Sequence, residues 1–158
     1  MRLLLLCVGR AKAGADRELA SRYLDRAAAA GRALGFSRLE LRELDESRAR
    51  DADARRAAEG KAALAAAAGE IVAFDERGLL LGSREFARRL GARRDSGSAA
   101  ATFLVGGADG LSDEARAAAS LVLSFGPMTF PHQIARILAA EQIYRAMTIL
   151  SGHPYHRD

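Results

Sequence analysis

Short apolar runs alternate along this chain with longer stretches in which apolar residues return every three or four positions. Arg2–Val8 is one such run. It ends at Gly9 and predicts a fully buried strand. Asp16 is placed to cap a helix reaching about Leu34, with Leu19, Tyr23, Ala27 and Ala30 on one face and Gly35 closing it. Phe36–Leu44 alternates apolar and polar positions with one break, and predicts a second strand. Alanine propensity predicts a helix from Asp51 to Ala68, ended by Gly69. Ile71–Phe74 predicts a short buried strand entering a turn at Asp75-Glu76-Arg77-Gly78. Ser83 is placed to cap a helix through about Arg94, with Phe86 and Leu90 facing inward. Ala101–Val105 predicts another buried strand, which enters the turn Gly106-Gly-Ala-Asp-Gly110. Ser112, with Asp113 and Glu114 behind it, predicts a helix through about Ser120. Leu121–Phe125 predicts a last strand, turned by Gly126-Pro127. Pro131 suits the first turn of a final helix reaching about Leu150.

Strands alternating with helices throughout predict an α/β fold, a parallel sheet with right-handed crossovers. With 158 residues and no long linker, the expectation is one domain spanning 1–158. The final helix departs from the rest. Ile134, Ile137, Leu138, Ile143, Met147 and Leu150 do not keep to one stripe, so it is apolar nearly all round and needs cover on more than one side. A second copy could give that cover, and a homodimer is expected on this ground.

The first apolar run is too short to span a bilayer and lacks a cleavage site behind it, so a cytoplasmic protein without a membrane association is expected. Cys7 is the one cysteine, which excludes an internal disulfide and a thiolate metal cluster. Its place in an apolar run predicts an inert, buried thiol. The formal charge of +4 gives a modest pull toward polyanions. Arginine supplies nearly all of it, with Lys12 and Lys61 the two lysines. Alongside the long alanine runs this resembles codon bias more than selection for phosphate contact.

Several chemistries are excluded. No Gly-x-Gly-x-x-Gly follows the first strand, and no Walker-type phosphate loop is present. His132, His153 and His156 lack zinc-site spacing, so no metal is expected, and no serine sits on a glycine-flanked elbow. What remains is the last third of the chain. The Gly106–Gly110 turn can bring a ligand against the backbone near a helix start, although a plain tight turn reads the same way. Gly126-Pro127-Met128-Thr129-Phe130 lies at the carboxyl end of the next strand, and in a parallel sheet both turns open on the same edge, where ligands bind. His132 reads first as a cap or core contact. Glu141 and Arg145 are spaced for an intrahelical ion pair, yet on so apolar a helix they also suit a dimer or substrate contact. Tyr155 and His156 read as a frayed tail, or as groups able to stack on and bond an unstacked base.

At these residues the chain resembles the ribosomal RNA large subunit methyltransferase H family of the SPOUT superfamily. Val105-Gly-Gly-Ala-Asp-Gly-Leu111, Leu123-Ser-Phe125, Met128-Thr-Phe-Pro-His-Gln133, Glu141-Gln-Ile-Tyr-Arg-Ala146 and Tyr155-His156 carry the likeness in order. Val8-Gly-Arg-Ala-Lys12 and the stretch from Phe74 to Ala87 add to it more weakly. The resemblance implies a SPOUT-type fold with a C-terminal trefoil knot, an exception to the rule that chains are not threaded. It also implies a homodimer that moves the methyl group of S-adenosylmethionine to N3 of a pseudouridine in 23S rRNA of the assembled ribosome. Cofactor contacts carried over are Phe74, Gly106, Phe125, Gly126, Pro127, Met128, Thr129 and Phe130. Glu141, Arg145, Tyr155 and His156 are the implied substrate contacts; of these Arg145, Tyr155 and His156 are candidates for the chemistry, with His156 or water taking the proton. The chain departs from the family pattern at Leu79, where a lysine is common, and at Gly126-Pro127, and both could alter cofactor affinity. A non-catalytic ribosome- or RNA-binding module on the same fold is the alternative, and a small flavodoxin-like nucleotide enzyme a third.

Overall fold

A computed structural model describes residues 1–157. Ten elements alternate along the chain: β1 (Arg2–Val8), α1 (Ala15–Ala33), β2 (Arg38–Leu44), α2 (Ala52–Ala66), β3 (Glu70–Leu80), α3 (Ser83–Asp95), β4 (Ala100–Val105), α4 (Asp113–Ala118), β5 (Leu121–Ser124) and α5 (His132–Leu150). The strands form one five-stranded sheet in the order β2-β1-β4-β3-β5, and every pairing is parallel. The α/β expectation therefore holds.

Alternation along β1 and β4 sends side chains to two cores. Leu3, Leu5, Cys7, Phe103 and Val105 pack under α1, α3 and α5. Leu4, Leu6 and Leu104 pack under α2 and α4, against Ala63, Leu111 and Ala115. Helix α5 lies between α1 and α3 and reaches the sheet at β4 and β1. Most of the cover that its all-round apolar surface calls for thus comes from within the chain, so the helix does not itself require a second copy.

Three local expectations change. Asp16 is not a cap: Gly14 occupies that position without a side-chain bond, and Asp16 sits in the first turn, where its charge favours the helix start. Ser83 is likewise the first residue of α3 rather than its cap, and its hydroxyl donates instead to Gln142 Oε1 at 2.9 Å. Asp75–Gly78 does not reverse the chain. It is a bulge within β3, because Phe74 and Leu79 both pair opposite Leu123. Asp51 and Ser112 do cap their helices, accepting the Ala54 and Ala115 N–H groups.

Gly78 makes the bulge possible. A Cβ there would stand 2.4 Å from the Leu123 carbonyl carbon and 2.7 Å from its nitrogen. Gly78→Ala must push β3 and β5 apart and is expected to lower stability by about 2 kcal/mol or more. A calorimetric Tm within a degree of the parent would contradict this.

Cys7 is fully buried, and burial pushes its thiol up to about 11, with the Arg136 guanidinium working against that rise. A folded-state value above the unfolded one means that the protonated thiol favours folding, an effect complete below about pH 9 and lost as pH climbs toward 11. At pH 8 the native protein should resist a thiol reagent that labels it promptly in guanidinium. Equal labelling rates in both states would show an accessible thiol.

Candidate functional site

The bulge of β3 and the carboxyl ends of β4 and β5 meet on one edge of the sheet. Between them lies a cavity of about 870 Å³, bounded by residues 74–77 of that bulge, the 106–111 turn, the 124–131 loop and the start of α5. Phe74 and Phe125 form one wall, their rings stacked at 4.8 Å between centroids and 11° between planes. Gly106 lets the turn fold back on itself at the cavity floor, since a Cβ there would meet the Gly110 carbonyl carbon at 2.9 Å and Leu111 at 3.0 Å. Met128 is 73% exposed and Phe130 38%, so the outer loop offers apolar side chains that nothing in the chain covers.

Two devices shape the loops. In the 124–131 loop, the Gly126 N–H donates to Ser124 Oγ at 3.1 Å, and that hydroxyl donates to the Gly126 carbonyl at 2.9 Å. Gly126 can take this turn because it has no Cβ, its φ being +139°. Across the cavity, Arg116 donates to Asp75 Oδ2 at 2.8 Å and to the Leu111 carbonyl at 2.7 Å. That guanidinium ties the bulge of β3 to the 106–111 turn.

Helix α2 holds the turn from behind. Arg55 grips Asp109 through two bonds, of 2.7 and 3.1 Å, and holds that carboxyl below the usual carboxylate range. The Gly107–Gly110 pair closes the turn itself, with the Gly110 N–H on the Gly107 carbonyl at 3.0 Å.

Of the residues expected to hold a cofactor, Phe74, Gly106, Phe125, Gly126, Met128, Thr129 and Phe130 line this one cavity. Pro127 lies in the same loop but not on the lining, and neither does Leu79, which is largely exposed. His132 borders the cavity and also a second, shallower groove beside Arg10–Asp16, with its Nε2 3.0 Å from Gln133 Nε2.

Glu141, Arg145, Tyr155 and His156 come together in a second cluster. Glu141 Oε1 accepts from Arg145 at 2.6 and 2.9 Å and from the Tyr155 hydroxyl at 3.0 Å. The Arg145 guanidinium sits 4.8 Å from the Tyr155 ring centre, and one of its nitrogens is 3.3 Å from His156 Nδ1. Burial and the neighbouring Tyr23 and Glu141 push the Tyr155 phenol well above its ordinary range, so it stays protonated. None of the four residues lines the cavity, to which α5 contributes only its first turn, His132 and Ala135. Six to ten residues of helix separate the two clusters, about 9–15 Å.

The sequence reading passed over Arg55, Asp75, Asp109 and Arg116. The excess of arginine hid two of them, because each looked like one more basic surface residue. No local pattern marks which arginine folds back onto a loop.

Removing the Arg55 guanidinium frees Asp109 and should loosen the turn without unfolding the sheet. In Arg55→Ala, amides 108–110 are expected to exchange several-fold faster while those of β1 and β4 keep their protection. Unchanged exchange at 108–110 would show that the turn does not need this tether.

Comparison with known proteins places the chain. A family described as "Predicted SPOUT methyltransferase" matches residues 1–156. The protein named ribosomal RNA large subunit methyltransferase H of Methylocella silvestris is 63% identical over 100% of both chains. Its namesakes from Beijerinckia indica and Xanthobacter autotrophicus are 60% and 54% identical, each over 99% of both chains.

Proposed function

This chain belongs to the SPOUT methyltransferase family, and we propose that it moves the methyl group of S-adenosylmethionine to N3 of a pseudouridine in 23S rRNA of the assembled ribosome. The observation that carries this reading is the meeting of the 106–111 turn and the 124–131 loop in one cavity, walled by the Phe74–Phe125 stack. The fit to the methyl donor is chemical. Stacked rings suit a flat purine, and glycine backbone lets a ligand approach closely. Phe74, Gly106 and residues 125–130 are the cofactor contacts of this reading, with Pro127 shaping the loop.

When bound, S-adenosylmethionine supplies an electrophilic methyl group on a sulfonium. The protein's part is placement. The imide nitrogen of the target must be aligned with that methyl as its proton leaves, and alignment alone gives much of such catalysis. The tail cluster gathers two donors on Glu141, the Tyr155 hydroxyl and the Arg145 guanidinium, and a substrate would take them over by exchange with that carboxylate. Donors suit the carbonyl oxygens of the base and the phosphates beside it. We therefore assign orientation to Glu141, Arg145, Tyr155 and His156, and the departing proton to water.

The tail lies a long way along α5 from the cavity of its own chain, so a partner's tail completes the site in this reading and the enzyme is a homodimer. Uncovered apolar side chains support that state: Leu79 and Leu80 at the end of β3, and Met128, Phe130 and Ile134 around the loop. The reading also takes residues 1–158 as one cytoplasmic domain with a C-terminal trefoil knot. The knot rests on the family resemblance; the helix α5 itself follows the edge strand β5 and packs against β4 and β1. Among the described residues no helix is long and apolar enough to cross a membrane.

Deleting residues 155–158 is expected to abolish transfer of labelled methyl to ribosomes while calorimetric titration still detects S-adenosylmethionine. Full activity in the truncated protein would overturn the role of the tail. A parent protein that does not bind the donor well above micromolar concentration would overturn the enzyme and leave an RNA-binding module.

A further inference from the structure

Glu59, on α2, is 7% exposed, and its two carboxylate oxygens are used unequally. Oε1 accepts the Ser47 N–H at 2.8 Å, whereas Oε2 is buried without a hydrogen-bond partner. The unpaired oxygen is directed at the cofactor turn: a Cβ built on Gly107 would stand 2.9 Å from it. The neighbouring Arg55 is turned to other partners, donating to Asp109 and to the carbonyls of Ala49 and Arg50. Nor can the helix slide away to relieve it. Gly60 lies so close to Ser112, the cap of α4, that a Cβ there would be 2.1 Å from the hydroxyl oxygen. The carboxylate is thus fixed, buried and one bond short, directly behind the backbone that floors the cavity. Buried acceptors of this kind are rare, and each calls for a donor.

We infer that Glu59 is a positioning residue of the cavity, holding its free oxygen as the acceptor for a peptide N–H of the Gly107–Ala108 segment when the turn closes on a bound methyl donor. The inference rests on the proposed cofactor. A ligand shifts a turn only by binding its two arrangements unequally, and here the closed arrangement gains a bond to a charged acceptor that the open one lacks. Glycine at 107 is what allows the backbone to approach so nearly.

Glu59→Gln tests it, with S-adenosylmethionine and S-adenosylhomocysteine as the probes. Glutamine can still accept from Ser47 through its single oxygen but then sets a donor against the turn. Both ligands should bind about tenfold more weakly or worse by calorimetry. The Tm without ligand should hold or rise, since a buried charge is gone. In the parent, hydrogen exchange at amides 107 and 108 should slow when S-adenosylmethionine is added, and in Glu59→Gln that slowing should vanish. Unchanged affinity, a loss of affinity matched by a fall in the ligand-free Tm, or a parent whose amides 107 and 108 ignore the bound ligand would each overturn the role. A parent that binds neither probe is a different outcome: it overturns the methyltransferase reading, and the role of Glu59 with it.

Discussion

The arrangement depends first on Arg136, a guanidinium 2% exposed in the second turn of α5. It donates to Glu43 Oε1 at 2.6 Å and to the carbonyl of Gly9, so one cation joins the last helix to the ends of β2 and β1. The Cys7 thiol lies beside the same group. Taking these charges out of water is unfavourable unless each finds its partner, and breaking such a pair leaves an uncompensated buried charge, which costs about 3–5 kcal/mol. The helix start therefore has one seat on the sheet. The 124–131 loop, which feeds directly into it, is held over the bulge of β3 and the end of β4 as a result.

A second layer of constraint acts on the opposite wall. The parallel strands end together, but their ends alone would leave the glycine turn free to move. Arg116 pulls it toward β3, and Arg55 pulls it toward α2. Arg55 grips Asp109 with two nitrogens of its planar fork, which fixes orientation as well as distance, while Arg116 bridges Asp75 and the Leu111 carbonyl through one nitrogen. The consequence is a cavity whose α5 side is rigid by burial and whose turn side is held by polar ties. Ties of this kind yield more readily than packing, so any closure on a ligand is expected on the turn side.

Most of the element order was legible from the chain, because four of the strands begin as compact apolar runs, the second alternates, alanine marks the second helix and Ser112 caps the fourth. Both loops of the cavity were legible too, since glycine and proline after a buried strand have few other uses. Asp75–Gly78 misled for a physical reason. An Asp-Glu-Arg-Gly string has turn composition, and only the far side of the sheet, at Leu123, reveals that the strand resumes. Asp16 and Ser83 failed as caps because a first-turn acid and a cap differ by a residue or two, which composition does not resolve. The arginines were the larger loss. Treating them together as compositional bias was sound on average, yet Arg55, Arg116 and Arg136 each perform a task set by distant partners, 54, 41 and 93 residues away.

The all-round apolar character of α5 was read as a demand for a partner subunit, and the structure shifts that demand elsewhere. Helices α1 and α3 flank α5, and the sheet lies beneath it. What stays uncovered is the apolar material at the cavity mouth, Met128, Phe130 and Ile134, with Leu79 and Leu80 at the end of β3. The polar cluster at the far end of α5 is meanwhile satisfied within itself, Glu141 accepting from both Arg145 and Tyr155. A continuous helix keeps these two ends apart, so they do not meet within one chain. Joining them between two chains breaks nothing. In the proposed homodimer a contact at the cavity mouth would also cover the exposed apolar rim, so one interface would answer both the geometry of the site and the chemistry of the surface around it.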